Sequence, residues 1–213
     1  MRVGLIVEGE IDEEIIPPLL EQLHHDAAPL FNRQLEFHPM PYQPNGAGEV
    51  PKTLKFLVHL HANSPSEWQR LGCDAIVAVI DSRKTDTVHR EIRGILRGAV
   101  GFPAVYGLAV QEAEAWVLGD IENVNRQVFK ITPMPRLTVK PERDSDPKKT
   151  LSDMFVAKST AIEYDCWNRE CARQVAGHLR HRQVATNCPK GFGKLASAFT
   201  QATRRTAPHK TRN

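Results

Sequence analysis

Three short apolar runs punctuate the first half of the chain, and each stops at an acid. Val3-Gly4-Leu5-Ile6-Val7 ends at Glu8. Ile76-Val77-Ala78-Val79-Ile80 ends at Asp81. Val105-Tyr106-Gly107-Leu108-Ala109-Val110 ends, one residue on, at Glu112 and Glu114. Continuous apolar runs of this length, rich in Val and Ile, predict strands buried on both faces, as in a parallel sheet. Between them the apolar period changes to that of a helix. Ile11, Ile15, Leu19 and Leu23 recur every fourth residue. Leu54, Leu57, Val58 and His61 form a second face behind Pro51, a residue suited to the first helical position. Val88, Ile92, Ile95 and Leu96 form a third behind Asp86, a candidate cap. Pro17-Pro18 are tolerable only in a first turn, which moves the expected start of the regular first helix to near Ile16. Residues 35–38 predict a weak strand. Residues 39–50, with three prolines and Asn45-Gly46-Ala47-Gly48, predict a loop. The alternation predicts an α/β domain over residues 1–120, a parallel sheet with right-handed crossovers flanked by helices.

After Asp120 the alternation stops. Residues 131–148 hold four prolines and many charges and read as a linker or irregular arm. Helical spacing returns at Leu151, Met154 and Phe155, again over 169–181, and at Phe192, Leu195 and Phe199. The expectation is a mainly helical C-terminal region over 121–203 and a disordered basic tail over 204–213. Charge sharpens this division. Residues 1–120 hold 10 Lys+Arg and 17 Asp+Glu (10 − 17 = −7), while residues 121–213 hold 18 and 8 (18 − 8 = +10). A basic half points to an anionic partner, nucleic acid first. No apolar run approaches the length of a membrane span, and the five-residue run after Met1-Arg2 is too short for an export signal. Cys73, Cys166, Cys171 and Cys188 form no CxxC pair. Reduced thiols in a cytoplasmic protein are the expectation.

In an open α/β sheet, ligands bind beyond the carboxyl ends of the strands. If the three runs are neighbours, Glu8, Asp81, Glu112 and Glu114 meet at one edge, with Asp12 one helical turn beyond Glu8. Such an all-oxygen donor set suits Mg²⁺ or Mn²⁺. Glu10, Glu13 and Glu14 have a simpler role, since acids are favourable in the first turn of a helix. Glu112 and Glu114 face the same way if the strand continues through them and diverge if a helix has begun. Trp116 reads as core. The histidines at 24, 25, 59 and 61 read as helix surface. No P-loop, GxGxxG or Gly-x-Ser-x-Gly occurs, which disfavours nucleotide-binding and hydrolase-elbow readings.

Val7-Glu8-Gly9 with Asp12, Ile80-Asp81 and Glu112-Ala113-Glu114 together resemble the Toprim fold. That is the metal-binding domain of topoisomerases, DnaG-type primases, recombination-repair proteins and OLD-family nucleases. Gln111-Glu112-Ala113-Glu114-Ala115-Trp116, Asp146-Pro147-Lys148-Lys149 and Asn187-Cys188-Pro189 before Phe192 are similar to a group of small stand-alone bacterial Toprim-like proteins whose function is not established, some linked with restriction or phage-defence loci. The resemblance makes Glu8 a metal ligand or general acid/base. It also calls for Asp-x-Asp at the third strand, where this chain has Asp81-Ser82-Arg83. Arg83 cannot bind a cation, and a Glu-x-Glu pair like that of OLD nucleases, Glu112 and Glu114, can replace the missing ligand.

The expectation is a Mg²⁺- or Mn²⁺-dependent nuclease with Glu8 and Asp81 catalytic and Glu8, Asp12, Asp81, Glu112 and Glu114 binding metal. Arg83, Lys148, Lys149, Lys190 and Lys194 would contact nucleic acid through the backbone, DNA ahead of RNA, with a partner ATPase or restriction-type subunit as a further component. The alternative is a catalytically degenerate Toprim module that binds nucleic acid or a protein. A phosphoryl acceptor centred on Asp81 ranks below both, because no lysine ends a later strand.

Overall fold

The computed structural model describes residues 1–27, 35–39, 46–83 and 86–206. Among the described residues, four strands form one parallel sheet in the order β2-β1-β3-β4: β1 Arg2–Ile6, β2 Glu36–Pro39, β3 Ala75–Asp81 and β4 Ala104–Ala109. The helices are α1 Glu10–Ala27, α2 Val50–Asn63, α3 Pro65–Leu71, α4 Asp86–Gly98, α5 Glu114–Gly119, α6 Ile121–Val124, α7 Pro147–Met154, α8 Arg169–Ala176, α9 His181–Asn187 and α10 Phe192–Thr206. The α/β class, the parallel sheet and the helical C-terminal region all agree with the apolar periodicity. No helix among the described residues is long and apolar enough to cross a membrane.

Side-chain alternation assigns the two faces of the sheet. Val3, Leu5, Val77, Val79, Val105 and Ala109 join a core with α1 and the C-terminal helices, while Ile6, Ile76, Ala78 and Ile80 join a second core with Leu54, Leu57 and Ile92. The first core runs through Trp116, Phe155, Trp167, Phe192 and Phe199, so residues before and after 120 pack into one apolar body. Gly107 lets α10 approach β4, because a Cβ there would meet Leu195 Cδ1 at 2.8 Å. Chain direction matters for function. From β1 the chain moves outward to β2, and from β3 it moves the opposite way to β4. The switch point therefore lies between β1 and β3, at whose carboxyl ends ligands bind in open α/β sheets.

Several expectations are corrected. Helix α1 begins at Glu10 and continues through Pro17 and Pro18. An interior proline costs about 3 kcal/mol or more. Burial of Ile15, Ile16, Leu19, Leu20 and Leu23, at about 1.5–3 kcal/mol each, outweighs it. Arg169 and Arg173 also grip Glu13 and Glu14 on the proline-bearing turn, at 2.7–3.3 Å. His24 is buried, not on the surface. The helical pattern at 169–181 divides into α8 and α9, because Asp120 accepts the Arg180 N–H at 2.8 Å and holds Arg180 extended between them. The irregular arm is tied down: Asn125 exchanges two hydrogen bonds with the backbone of Ile131, and buried Asp144 accepts from Thr150 Oγ1 at 2.6 Å. Residues 204–206 belong to α10 rather than to a tail. Asn45, residues 39–45 except Pro39, and 207–213 lie outside the described residues.

Candidate acidic site at the switch point

The site is built from the ends of β1, β3 and β4. Beyond β1, Gly9 turns the chain into α1, and its N–H donates to Asp12 Oδ2 at 3.2 Å. Glu8 stays at the strand end and reaches across the switch point, where its Oε1 accepts the Asp81 backbone N–H at 2.6 Å. That bond locks the carboxyl ends of neighbouring strands together and places Glu8 beside Asp81. At β4, Ser82 makes the equivalent stitch. Its N–H donates to Ala109 O at 2.7 Å, and its hydroxyl accepts the Gln111 N–H at 2.8 Å. Gln111 takes a left-handed conformation, φ 68°. This is uncommon outside glycine, and it turns the chain out of the strand before Glu112.

The turn decides the fate of the Glu-x-Glu pair. The strand has ended at Ala109 and Ala113 is already helical, φ −64° and ψ −24°. Glu112 and Glu114 therefore diverge. Glu114, the first residue of α5, is buried and faces the acids. Glu112 forms an ion pair with Arg83, whose Nη1 also donates to Ser145 O at 3.4 Å. Expected as a neighbour of Glu114 in one ligand set, Glu112 instead sits against a cation.

The electrostatics mark which carboxylates share space. Burial raises Asp12 from 3.8 to about 7, helped by the charges of Glu114 and Glu8 and opposed by the Gly9 N–H. Burial likewise raises Asp81 from 3.8 to about 8, reinforced by Asp12, Glu8 and Glu114, with Arg83 acting against them. Glu114 is raised by burial, while its own backbone amide, Lys148 and Arg83 favour its charged form. Glu8, Asp12, Asp81 and Glu114 are thus one repelling group. Their donor chemistry, carboxylate oxygen throughout, suits a hard dication. Among the described residues, however, no three His, Cys, Asp or Glu side chains are gathered closely enough to hold a metal ion as they stand.

Of the expected cationic residues, Lys148 and Arg83 lie within electrostatic reach of Glu114. Lys149 is engaged with Asp153 at 2.7 Å on its own helix. Lys190 and Lys194 are exposed near the start of α10, where the N–H groups of Lys190 and Gly191 donate to Glu142. Sequence reasoning missed Tyr106 and His89. Burial pushes the Tyr106 hydroxyl up to about 12; Arg93 pulls it down and Glu8 adds to the rise. That oxygen lies 2.6 Å from His89 Nδ1. In sequence, Tyr106 is one aromatic inside an apolar strand and gives no signal. No protein-family model, curated protein or solved structure matches the chain.

Proposed function

We propose that this chain is a Mg²⁺- or Mn²⁺-dependent nuclease of Toprim type that acts in the cytoplasm on nucleic-acid phosphodiester bonds, DNA ahead of RNA, in phage defence or DNA repair. One observation carries the reading: Glu8, Asp12, Asp81 and Glu114 converge at the topological switch point, where burial and like charge raise Asp12 to about 7 and Asp81 to about 8. Negative charge of this kind favours a bound dication, which these four residues would hold only after drawing closer together than they stand. A divalent ion, when bound, supplies an acidified water and neutralises charge on a phosphate. Glu8, fixed by the Asp81 N–H, keeps one carboxylate in place at the switch point. Burial and like charge raise Asp12 and Asp81 in the absence of metal; a bound dication would favour their ionised forms and so bind more tightly as pH rises. Lys148 brings positive charge to the same edge. The basic C-terminal region, with Lys149, Lys190 and Lys194, would hold the nucleic-acid backbone without reading bases. A partner ATPase or restriction-type subunit would add specificity.

The second reading, a catalytically degenerate module that binds nucleic acid or protein, is favoured by the Arg83–Glu112 ion pair, which removes Glu112 from the ligand set. Incubation with plasmid, linear and single-stranded DNA and with RNA, plus Mg²⁺ or Mn²⁺, separates the two. The nuclease reading expects cleavage that Glu8→Ala and Asp81→Ala each abolish. Cleavage surviving both substitutions removes the site assignment. An absence of cleavage, together with no manganese in an anomalous difference map, supports the binding module.

A further inference from the structure

Arg83 leaves the end of β3 two residues after Asp81, and its neighbours are unusual for a simple surface ion pair. Glu112 Oε1 takes one side of the guanidinium, and the Ser145 carbonyl takes Nη1. The side chain of Glu112 is 11% exposed and that of Arg83 is 41% exposed. The counter-ion is sealed while the cation stays open to solvent. Among the described residues, Glu112 Oε2 is buried and accepts from no donor. The pair is therefore one-pronged, weaker than the two-pronged Arg–carboxylate pairing. Here, among the described residues, a buried oxygen is left unpaired, a destabilising arrangement, and the guanidinium is held by Glu112 and Ser145 while its side chain stays 41% exposed. Its charge reaches Asp81 and Glu114, so it stands near the acids at this edge of the sheet. A planar, always-charged fork open to solvent there matches the geometry of a phosphate oxyanion.

We propose that Arg83 is the phosphate-binding group of this edge and that Glu112 is its positioning residue. The substitution that removes an expected metal ligand thereby becomes the means by which the site holds its substrate. The identity of the phosphate as a nucleic-acid phosphate rests on the nuclease reading above; the anion receptor itself does not.

The test is fluorescence anisotropy with a labelled single-stranded DNA oligonucleotide, in EDTA and again with Ca²⁺, using the full chain, Arg83→Ala, Arg83→Lys and Glu112→Gln. Arg83→Ala weakens binding roughly tenfold, as loss of a charged hydrogen bond requires. Arg83→Lys keeps the charge and the Glu112 pair in a folded protein, yet also weakens binding. Glu112→Gln is decisive in sign. It removes negative charge from an anion-binding surface, so long-range attraction alone predicts tighter binding, whereas a positioning role predicts weaker binding. Tighter binding by Glu112→Gln, unchanged binding by Arg83→Ala and Arg83→Lys, or no binding by the unsubstituted protein overturns the proposal. Binding that follows the expected order without any cleavage in Mg²⁺ or Mn²⁺ sinks the nuclease reading and leaves this one standing. Cleavage with binding indifferent to Arg83 does the reverse.

Discussion

Asp81→Asn is expected to make the protein more stable at pH 8 and to have a much smaller stabilising effect at pH 5. The folded-state carboxyl titrates at about 8 instead of 3.8, because it is buried and faces Asp12, Glu8 and Glu114. A carboxyl raised by folding contributes stability below its unfolded pKa, and that contribution is lost as pH rises through the folded value. At 1.36 kcal/mol per pH unit, the span from 3.8 to about 8 sets a ceiling near 6 kcal/mol. Partial exposure and mutual relief among the four acids leave a realistic effect on the order of 2–3 kcal/mol. For a chain of this size that is about 4–12 °C in Tm. Urea unfolding at pH 5 and pH 8 in EDTA measures it. His181, whose pKa is lowered by burial, acts in the opposite direction, but taking variant minus wild type cancels it. Mg²⁺ is expected to recover the stability of the wild type at pH 8 and to do much less for Asp81→Asn. An Asp81→Asn protein less stable than wild type at pH 8, or a difference independent of pH, would refute the account of a repelling, buried acid cluster.

Other perturbations test the frame around the site. Gly191→Ala places a Cβ 3.0 Å from Leu108 O and 3.1 Å from Val110 N and Trp116 Nε1, and should cost about 1–3 kcal/mol by overpacking, read as a lower urea midpoint. Asp120 is fully buried and accepts both the Arg180 N–H and its guanidinium; Asp120→Ala should cost about 2–3 kcal/mol and speed hydrogen exchange at Arg180. Thiol titration of the native protein should find Cys166 reactive. Cys73, Cys171 and Cys188 are buried, with thiols pushed up by burial, and should react only after denaturation.

The legible parts of this protein are those written in local pattern. Val and Ile runs report a buried strand because both faces of a parallel sheet are apolar, and β1, β3 and β4 match their runs to within a residue or so. The acids that end those runs are legible for the same reason, since an apolar strand must stop where the core stops. Helix starts were less legible where distant partners override local cost. Pro17 and Pro18 argue against a helix that Arg169 and Arg173, more than 150 residues away, help to hold.

Strand order belongs to the tertiary structure alone. The sequence places Glu8 and Asp81 each at a strand end, but nothing local says that β1 and β3 are neighbours, or that the chain reverses direction between them. The partition of Glu112 from Glu114 is of the same kind. It depends on Ser82 fastening Gln111 into a left-handed turn and on Arg83 arriving from another strand to take Glu112. The sequence by itself determined which residue types reach the carboxyl edge. Packing across the sheet decided which of them share a charge problem and which of them solve it.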